Sequence, residues 1–230
     1  APLGQFTTGF AYSLAIHPKN KCILYGTTGN RVYRTDDCGR TWKELYREAR
    51  GDTRVSSLAF NPYEPHQIFM AETNGDLLVS NNEGVSWKTM KRFGVSLTKI
   101  VFDSRHSGLM YIVSRGDGLY RTGDAGQTWA ELRRGMNDYP GALEYRRFLL
   151  HPVRSNALFW VSTYGILVSY NRGDSWAPLD LITPPGSAQI YAFTVNPNND
   201  KELYYTATIN SRSTLYKSTD GGKTWITRKL

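Results

Sequence analysis

An eight-residue motif recurs five times in the 230-residue chain, and it limits the possible folds more than any other feature. Its form is Ser/Thr, any residue, Asp/Asn, any residue, Gly, any residue, Ser/Thr, Trp. The copies begin at Thr35, Ser80, Thr122, Ser169 and Ser218. Their tryptophans follow one another at intervals of 45, 42, 47 and 49 residues. A period of this length indicates a repeat architecture.

Each repeat contains four short segments with the alternating apolar pattern of β-strands. The first segment ends in a turn such as His-Pro or Asn-Pro, and the tryptophan of the motif opens the fourth. A repeated four-stranded unit of this size is typical of a β-propeller blade. We therefore predict one all-β propeller domain over residues 1–230, with the motif between strands three and four. Its five antiparallel blades cover approximately residues 11–50, 54–93, 95–135, 144–182 and 189–230.

The sequence does not decide whether the five blades close into a ring. A closed five-bladed ring is the expectation, because each repeat contains its four strands in chain order. The alternative is that the five repeats are part of a six- or seven-bladed propeller.

The motif resembles the Asp-box, also called the bacterial neuraminidase repeat. It is similar to the boxes of sialidases, sortilin-type receptors, xyloglucan-degrading glycosidases and Ycf48-like photosystem assembly factors. Since this box occurs in enzymes, receptors and scaffolds, the resemblance specifies the fold more than the function. The chain most resembles Ycf48-like and generic Asp-box proteins of bacteria, which implies an assembly or interaction role in or across the cell envelope. It departs from Ycf48-like proteins in having five blades rather than seven.

The Asp or Asn of each motif is predicted to hold its turn together by accepting hydrogen bonds from backbone N–H groups two or three residues on. These residues are Asp37, Asn82, Asp124, Asn171 and Asp220. The motif tryptophans, Trp42, Trp87, Trp129, Trp176 and Trp225, are predicted to pack their rings between strands. One carboxylate or amide per turn is too few for calcium, so we predict no metal site and no cofactor.

The two cysteines, Cys22 and Cys38, flank the predicted hairpin of strands two and three in the first blade. Folding this hairpin about its central turn makes them near neighbours. A disulfide and two free thiols both fit this spacing, and a metal pair fits less well because no His adjoins them. A disulfide would indicate an oxidising compartment, and we expect an extracytoplasmic location: secreted, periplasmic or envelope-associated.

The net charge of +8 is concentrated on one predicted face of the propeller, together with several tyrosines. Arginine and tyrosine are the residue types that anchor protein interfaces. The predicted partner-binding residues are Arg47, Arg50, Arg54, Arg115, Arg133, Arg134, Arg146, Arg147, Tyr145 and Tyr191. A protein or acidic partner fits this face, whereas the dense basic runs typical of nucleic-acid tails are missing from the sequence. No transmembrane segment is predicted, peripheral membrane contact stays open, and the alternative for the face is a solvated rim of charges.

The enzymatic alternative is a glycosidase of sialidase type. Such an enzyme needs arginines for a substrate carboxylate, a Tyr/Glu nucleophile pair and an acidic proton donor. Glu144, Tyr145, Arg146 and Arg147 are the catalytic candidates in that case. The Arg-Ile-Pro segment of sialidases is not found before the first motif, so a non-catalytic interaction or assembly scaffold is the preferred hypothesis. Binding of a carbohydrate without cleavage is a further alternative.

Overall fold

The structure, a computed structural model, describes residues 10–228 as five four-stranded antiparallel sheets, each with its strands in chain order. Twenty strands, the number that the repeat predicts, account for nearly all regular structure. The predicted all-β propeller fold with four-stranded blades is therefore confirmed. The described residues divide into two compact units: residues 10–115 with 119–130, and residues 116–118 with 131–228.

Unit one contains blades 1 to 3. Blade 1 consists of β1 (Ser13–Ile16), β2 (Leu24–Thr28), β3 (Arg31–Thr35) and β4 (Lys43–Arg47). Blade 2 consists of β5 (Val55–Phe60), β6 (Ile68–Glu72), β7 (Asp76–Ser80) and β8 (Lys88–Arg92). Blade 3 consists of β9 (Leu97–Phe102), β10 (Met110–Ser114), β11 (Gly118–Thr122) and β12 (Ala130–Glu131).

Unit two contains blades 4 and 5. Blade 4 consists of β13 (Tyr145–Leu150), β14 (Leu158–Ser162), β15 (Ile166–Ser169) and β16 (Ala177–Pro178). Blade 5 consists of β17 (Gln189–Asn196), β18 (Asn199–Ile209), β19 (Arg212–Ser218) and β20 (Ile226–Arg228). A 3₁₀ turn at Arg134–Met136 precedes β13.

The middle strands of blades 2, 3 and 4 are buried along their whole length. This is why β6, β10 and β14 are nearly continuous apolar runs rather than alternating ones. The fourth strands are less buried, with β8 mostly exposed and β4 mostly half-buried. In blades 2, 3 and 4 the middle strands are thus the most buried part of the sheet.

Neighbouring blades are joined at the glycine of the repeated motif. In unit one, a β-carbon added to Gly84 would meet the Leu45 side chain at 2.6 Å, and one on Gly126 would meet Met90 at 2.6 Å. In unit two, one on Gly222 would meet Leu179 at 2.8 Å. The contacted residues, Leu45, Met90 and Leu179, each lie three positions after a motif tryptophan. The motif glycine is thus required by blade stacking as well as by its positive φ.

Blade 1 presents apolar side chains that the later blades bury. Leu14 is 58% exposed, whereas the repeat-equivalent Leu58 of blade 2 is 5% exposed and Phe193 of blade 5 is 1% exposed. Within unit one, blade 2 packs against blade 1, and blade 1 is the first sheet of the unit. Closure of the five blades into a ring stays a prediction. No helix in residues 10–228 has the length and apolar character required to cross a bilayer.

Candidate functional site

The five repeated turns share one hydrogen-bond pattern. In the first, Asp37 Oδ1 accepts hydrogen bonds from the Thr35 hydroxyl at 2.7 Å and from the Thr41 backbone N–H at 2.9 Å. Thr35 Oγ1 in turn accepts the backbone N–H of Gly39 at 3.0 Å. The main backbone donor lies four residues after the Asp or Asn in every copy, not the predicted two or three. The wider loop arises because two successive residues adopt positive φ.

The Asp turns differ from the Asn turns in how the second Ser/Thr side chain is bonded. In the Asp turns a threonine hydroxyl donates to the second carboxylate oxygen, as Thr128 does to Asp124 at 2.5 Å. In the Asn turns the amide donates instead, as Asn82 Nδ2 does to Ser86 Oγ at 2.9 Å. The hydrogen bonds from Thr128 and Thr224 lower the pKa of Asp124 and Asp220 to about 2. These side chains are thus committed to their turns.

The motif tryptophans are half-buried, except for the buried Trp176. Trp42 and Trp129 donate their ring N–H to the carbonyl of the motif glycine, whereas Trp225 donates to the carbonyl of Asp180. The residue before the motif glycine also has positive φ: Cys38, Glu83, Ala125 and Arg172 in four copies and Gly221 in the fifth. The strain at these non-glycine positions is not visible in the motif itself.

The structure joins Cys22 and Cys38 in a disulfide. The Cys38 backbone N–H also donates to the Cys22 carbonyl at 3.0 Å, so the two residues face each other at the base of the β2–β3 hairpin. Among residues 10–228, no three His, Cys, Asp or Glu side chains converge in a way that could hold a metal ion.

Arg50 is an exposed residue of unit one, with 48% of its side chain accessible, and its guanidinium contacts a group of buried carboxylates. Its guanidinium pairs with Glu48 at 2.7 Å, Glu72 at 3.0 Å and Asp76 at 3.1 Å. All three carboxylates are buried, and Glu72 is completely so. Tyr46 donates its hydroxyl to Glu48 at 2.8 Å, and Arg92 adds a second cation beside Asp76. We call Arg50 with these three carboxylates the Arg50 cluster.

The two glutamates of the Arg50 cluster have opposite pKa shifts. The hydrogen bonds from Arg50 lower the pKa of Glu48 to about 2. Burial raises the pKa of Glu72 to about 7, and the charge of nearby Glu48 acts in the same direction. The sequence prediction missed Glu72 and Tyr46. One sequence feature could have identified Glu72: it ends the otherwise apolar strand β6. A carboxylate buried at that position needs a hydrogen-bonding or charged partner.

The other predicted arginines of unit one are bound to a varying extent. Arg47 forms two hydrogen bonds with Glu44, at 2.8 and 3.1 Å. Arg54 donates to the Tyr12 hydroxyl at 3.4 Å, and Arg115 is exposed.

Arg146 and Tyr191 are the paired centre of the predicted site in unit two. The Arg146 guanidinium lies over the Tyr191 ring, 4.8 Å from its centroid. Arg146 is the extra residue of a β-bulge in β13, where Tyr145 pairs with Ser162 and Arg147 with Val161. Tyr191 occupies the corresponding bulge in β17. Bulges re-aim side chains, and these two bring a cation and an aromatic ring of neighbouring blades together.

This pair is partly exposed, and Arg146 itself is half-buried. Tyr191 is 56% exposed, and Arg147 beside it is exposed as well. Arg146 Nε is shielded from solvent and has no hydrogen-bond partner in the structure. We call Arg146, Arg147 and Tyr191 the Arg146–Tyr191 surface. A guanidinium over an aromatic face is held in place while its outer N–H groups can still bind a carboxylate.

The remaining predicted residues of unit two have other contacts. Arg133 forms an ion pair with Asp117, and Arg134 is exposed. Glu144 is exposed and accepts the Thr163 hydroxyl at 2.8 Å. Tyr145 packs its ring 5.1 Å from that of Trp160, and burial raises the pKa of its phenol.

A small cleft of about 170 Å³ in unit two is lined mostly by apolar residues, with Asp180 and Thr183 among them. Its walls come from the β14–β15 turn, from the loop between blades 4 and 5, and from Ile190, the chain neighbour of Tyr191. The lining includes Tyr164, Ile166, Leu181, Pro184, Ala188 and Ile190. We call it the proline cleft. The Pro184–Pro185–Gly186 sequence is a turn signal, but sequence reasoning did not connect it with a site.

A larger cleft of about 450 Å³ lies at the end of unit two that carries the repeated turns. It is lined by charged residues, among them Arg154, Asp200, Lys201 and Lys223, and by the exposed ring of Tyr170. Arg154 and Asp200 form an ion pair at 2.8 Å. We call it the charged cleft.

Comparison with known families and proteins agrees with the fold. The family model of the DUF6242 beta propeller domain matches residues 7–145, more than half of the chain. Xyloglucanase Xgh74A of Acetivibrio thermocellus is 24% identical over 94% of this chain and 25% of its own length. Sortilin of Rattus norvegicus is 26% identical over 84% of this chain and 23% of its own length. The chain spans 21% to 35% of the length of the xyloglucanase relatives.

Solved structures show the same architecture. An ancestral GH74 enzyme superposes with a TM-score of 0.75 at 17% identity, over 99% of this chain and 32% of that chain. YCF48 from Cyanidioschyzon merolae superposes with a TM-score of 0.66 at 16% identity, over 98% of this chain and 87% of that chain. YCF48 bound to D1 peptide gives a TM-score of 0.51 at 17% identity, over 96% and 83%. At these identities the similarity shows the fold alone.

Proposed function

For this chain, which belongs to the DUF6242 β-propeller family, we propose a non-catalytic role as an interaction or assembly scaffold that binds a protein partner. The observation that carries the proposal is the Arg146–Tyr191 surface: a stacked guanidinium and an exposed ring at matching bulges of two blades. Arginine and tyrosine in such an arrangement are typical of interface anchors. The YCF48 structure with a bound D1 peptide is an example of this fold binding a peptide.

The other predicted residues remain part of the same proposal, with unequal weight. Arg134, Arg115 and Arg54 are exposed and available to a partner. The ion pairs of Arg47, Arg50 and Arg133 with carboxylates of the chain make these three weaker candidates. Tyr145 serves as a support, because its ring packs on buried Trp160.

The test is charge reversal with a matched control. Replacing Arg146 and Arg147 by Glu is expected to abolish co-purification of the native partner while lowering the melting temperature by only a few degrees, because Arg147 is exposed and the half-buried Arg146 contributes one cation–π contact. Replacing the exposed Lys19 and Lys21 by Glu changes the net charge by the same amount and should leave co-purification intact. Equal loss of the partner from both double variants would reduce the proposal to a general charge effect.

The second candidate is a carbohydrate-binding or glycoside-hydrolysing propeller. The similarity to xyloglucanases favours it, and so does the charged cleft with its exposed Tyr170 ring, since an aromatic face can stack on a sugar. Tyr145 argues against a sialidase-type mechanism. Burial raises the pKa of its phenol, whereas a nucleophile is activated by a lowered pKa. Turnover of xyloglucan oligosaccharides or aryl glycosides that is lost in Glu144→Gln or Tyr145→Phe would establish the enzyme; retained binding without turnover would establish a lectin-like role.

An extracytoplasmic location completes the proposal, supported by the Cys22–Cys38 disulfide. Mass spectrometry of unreduced native protein should show the two peptides linked. Two thiols that alkylate freely in native material would contradict this location.

A further inference from the structure

We propose that the proline cleft and the Arg146–Tyr191 surface together bind a peptide segment of the partner. This segment contains a bulky apolar side chain and, within two residues of it, an Asp or Glu. This inference rests on the proposed function and names the partner segment that the site selects. The cleft takes the apolar side chain, and Arg146 with Arg147 takes the carboxylate.

The size and walls of the cleft favour one apolar side chain. A cavity of roughly 150 Å³ lined by aliphatic groups holds a benzene-sized group, and the proline cleft has about 170 Å³. Leu181, Pro184 and Ile190 give it aliphatic walls, and Tyr164 gives an aromatic one. The occupant is therefore a Leu-, Ile-, Met- or Phe-sized side chain.

The loop that forms the cleft is tied to blade 4 before any ligand arrives. The Gly186 backbone N–H donates to the Tyr164 carbonyl at 2.9 Å, and the Leu179 N–H donates to the Ile166 carbonyl at 2.8 Å. At the other side, the Trp225 ring N–H donates to the Asp180 carbonyl at 2.7 Å. A pre-formed site spends little free energy on ordering when it binds.

The charges around the cleft orient the ligand. Ile190 lines the cleft, and its chain neighbour Tyr191 carries the Arg146 guanidinium over its ring. Asp180, in the loop between β16 and β17, lines the cleft as well. A partner carboxylate is therefore attracted toward Arg146 and Arg147 and repelled by Asp180. This asymmetry converts an apolar cleft into one that prefers an apolar residue with a neighbouring acid.

In the experiment, a library of displayed random eight-residue peptides is selected for binding to the whole chain. The most enriched peptide is then synthesised and its Kd is measured. We expect enrichment of sequences with Leu, Ile, Met or Phe within two residues of Asp or Glu. Ala188→Phe fills the cleft and Arg146→Gln removes the charge; each should weaken binding by about tenfold or more. Leu181→Ala enlarges the cleft and should shift selection toward Phe and Trp. Lys19→Gln, at an exposed position of unit one, is the surface control, with an unchanged Kd expected.

Four results would overturn the inference: enriched peptides without this residue pair, no enrichment at all, an unchanged Kd in Ala188→Phe, or a Leu181→Ala variant with unaltered preference. A normal melting temperature of each variant is required, so that misfolding is not mistaken for loss of binding. If Arg146→Gln loses the peptide while Ala188→Phe keeps it, the proposed function stands and the cleft inference fails. Loss of native-partner co-purification in the Arg146/Arg147 double variant tests the proposed function separately.

Discussion

The Arg50 cluster and the Arg146–Tyr191 surface use arginine in opposite ways. In unit one, Arg50 is surrounded by Glu48, Glu72 and Asp76, so its charge compensates buried carboxylates. In unit two, Arg146 lies on an exposed tyrosine ring at 4.8 Å. Both arginines fall among the cations of one predicted face. The comparison shows that arginines selected by a count of surface charges differ in whether carboxylates of the chain already neutralise them. We propose that the arginines without such carboxylates bind the partner.

The largest expected difference between the two sites is in stability. Arg50→Met leaves Glu48 and Glu72 without their cation and is expected to lower the free energy of unfolding by about 3 kcal/mol. Arg146→Met should lower it by less than about 1 kcal/mol, since it removes one partly exposed contact. Urea unfolding of both variants measures the difference. Equal losses would mean that Arg146 is as structural as Arg50.

The second difference is in pH dependence. A pKa of about 7 for Glu72 in the folded protein lies above its ordinary 4.5, so folding favours the protonated form. Its contribution to stability is fully present below pH 4.5 and is lost as the pH rises through about 7. Glu72→Gln should therefore flatten the fall in stability between pH 5 and pH 8, an effect of about 1–2 kcal/mol.

Melting temperatures of wild type and Glu72→Gln across this range provide the measurement. Arg146→Gln is the matched control and should keep the wild-type pH profile, because Arg146 contacts the ring of Tyr191 and not a buried carboxylate. A wild-type profile without a fall between pH 5 and pH 8 would contradict the assigned pKa of Glu72.

The smallest expected effect is the coupling inside the Arg146–Tyr191 surface. A double-mutant cycle with Arg146→Met and Tyr191→Leu should give a coupling of about 0.5–1 kcal/mol in unfolding free energy, the usual value for an exposed cation–π pair. A coupling near zero would show that the two side chains do not hold each other in solution, and it would weaken the argument for a pre-organised surface.

The repeat was enough to predict the blades because apolar alternation, turn residues and period all indicate the same unit. The details of the turns were harder to predict. The positive φ of Cys38 and Ala125 is imposed by the hydrogen bonds of the turn, not by residue preference. The Arg146 and Tyr191 bulges depend on the pairing register, which the sequence alone does not specify. Glu72 joins the Arg50 cluster because the loop between blades 1 and 2 carries Arg50 to within 3.0 Å of its carboxylate.

The central claim is tested most directly by measuring native-partner capture per molecule of folded protein for Arg146→Met and Arg50→Met. Both variants lose one positive charge from the same residue type. The account predicts that Arg146→Met loses most of the captured partner at a nearly unchanged melting temperature, whereas the folded fraction of Arg50→Met captures it normally. Full capture by Arg146→Met, or equal loss in both variants, would contradict it.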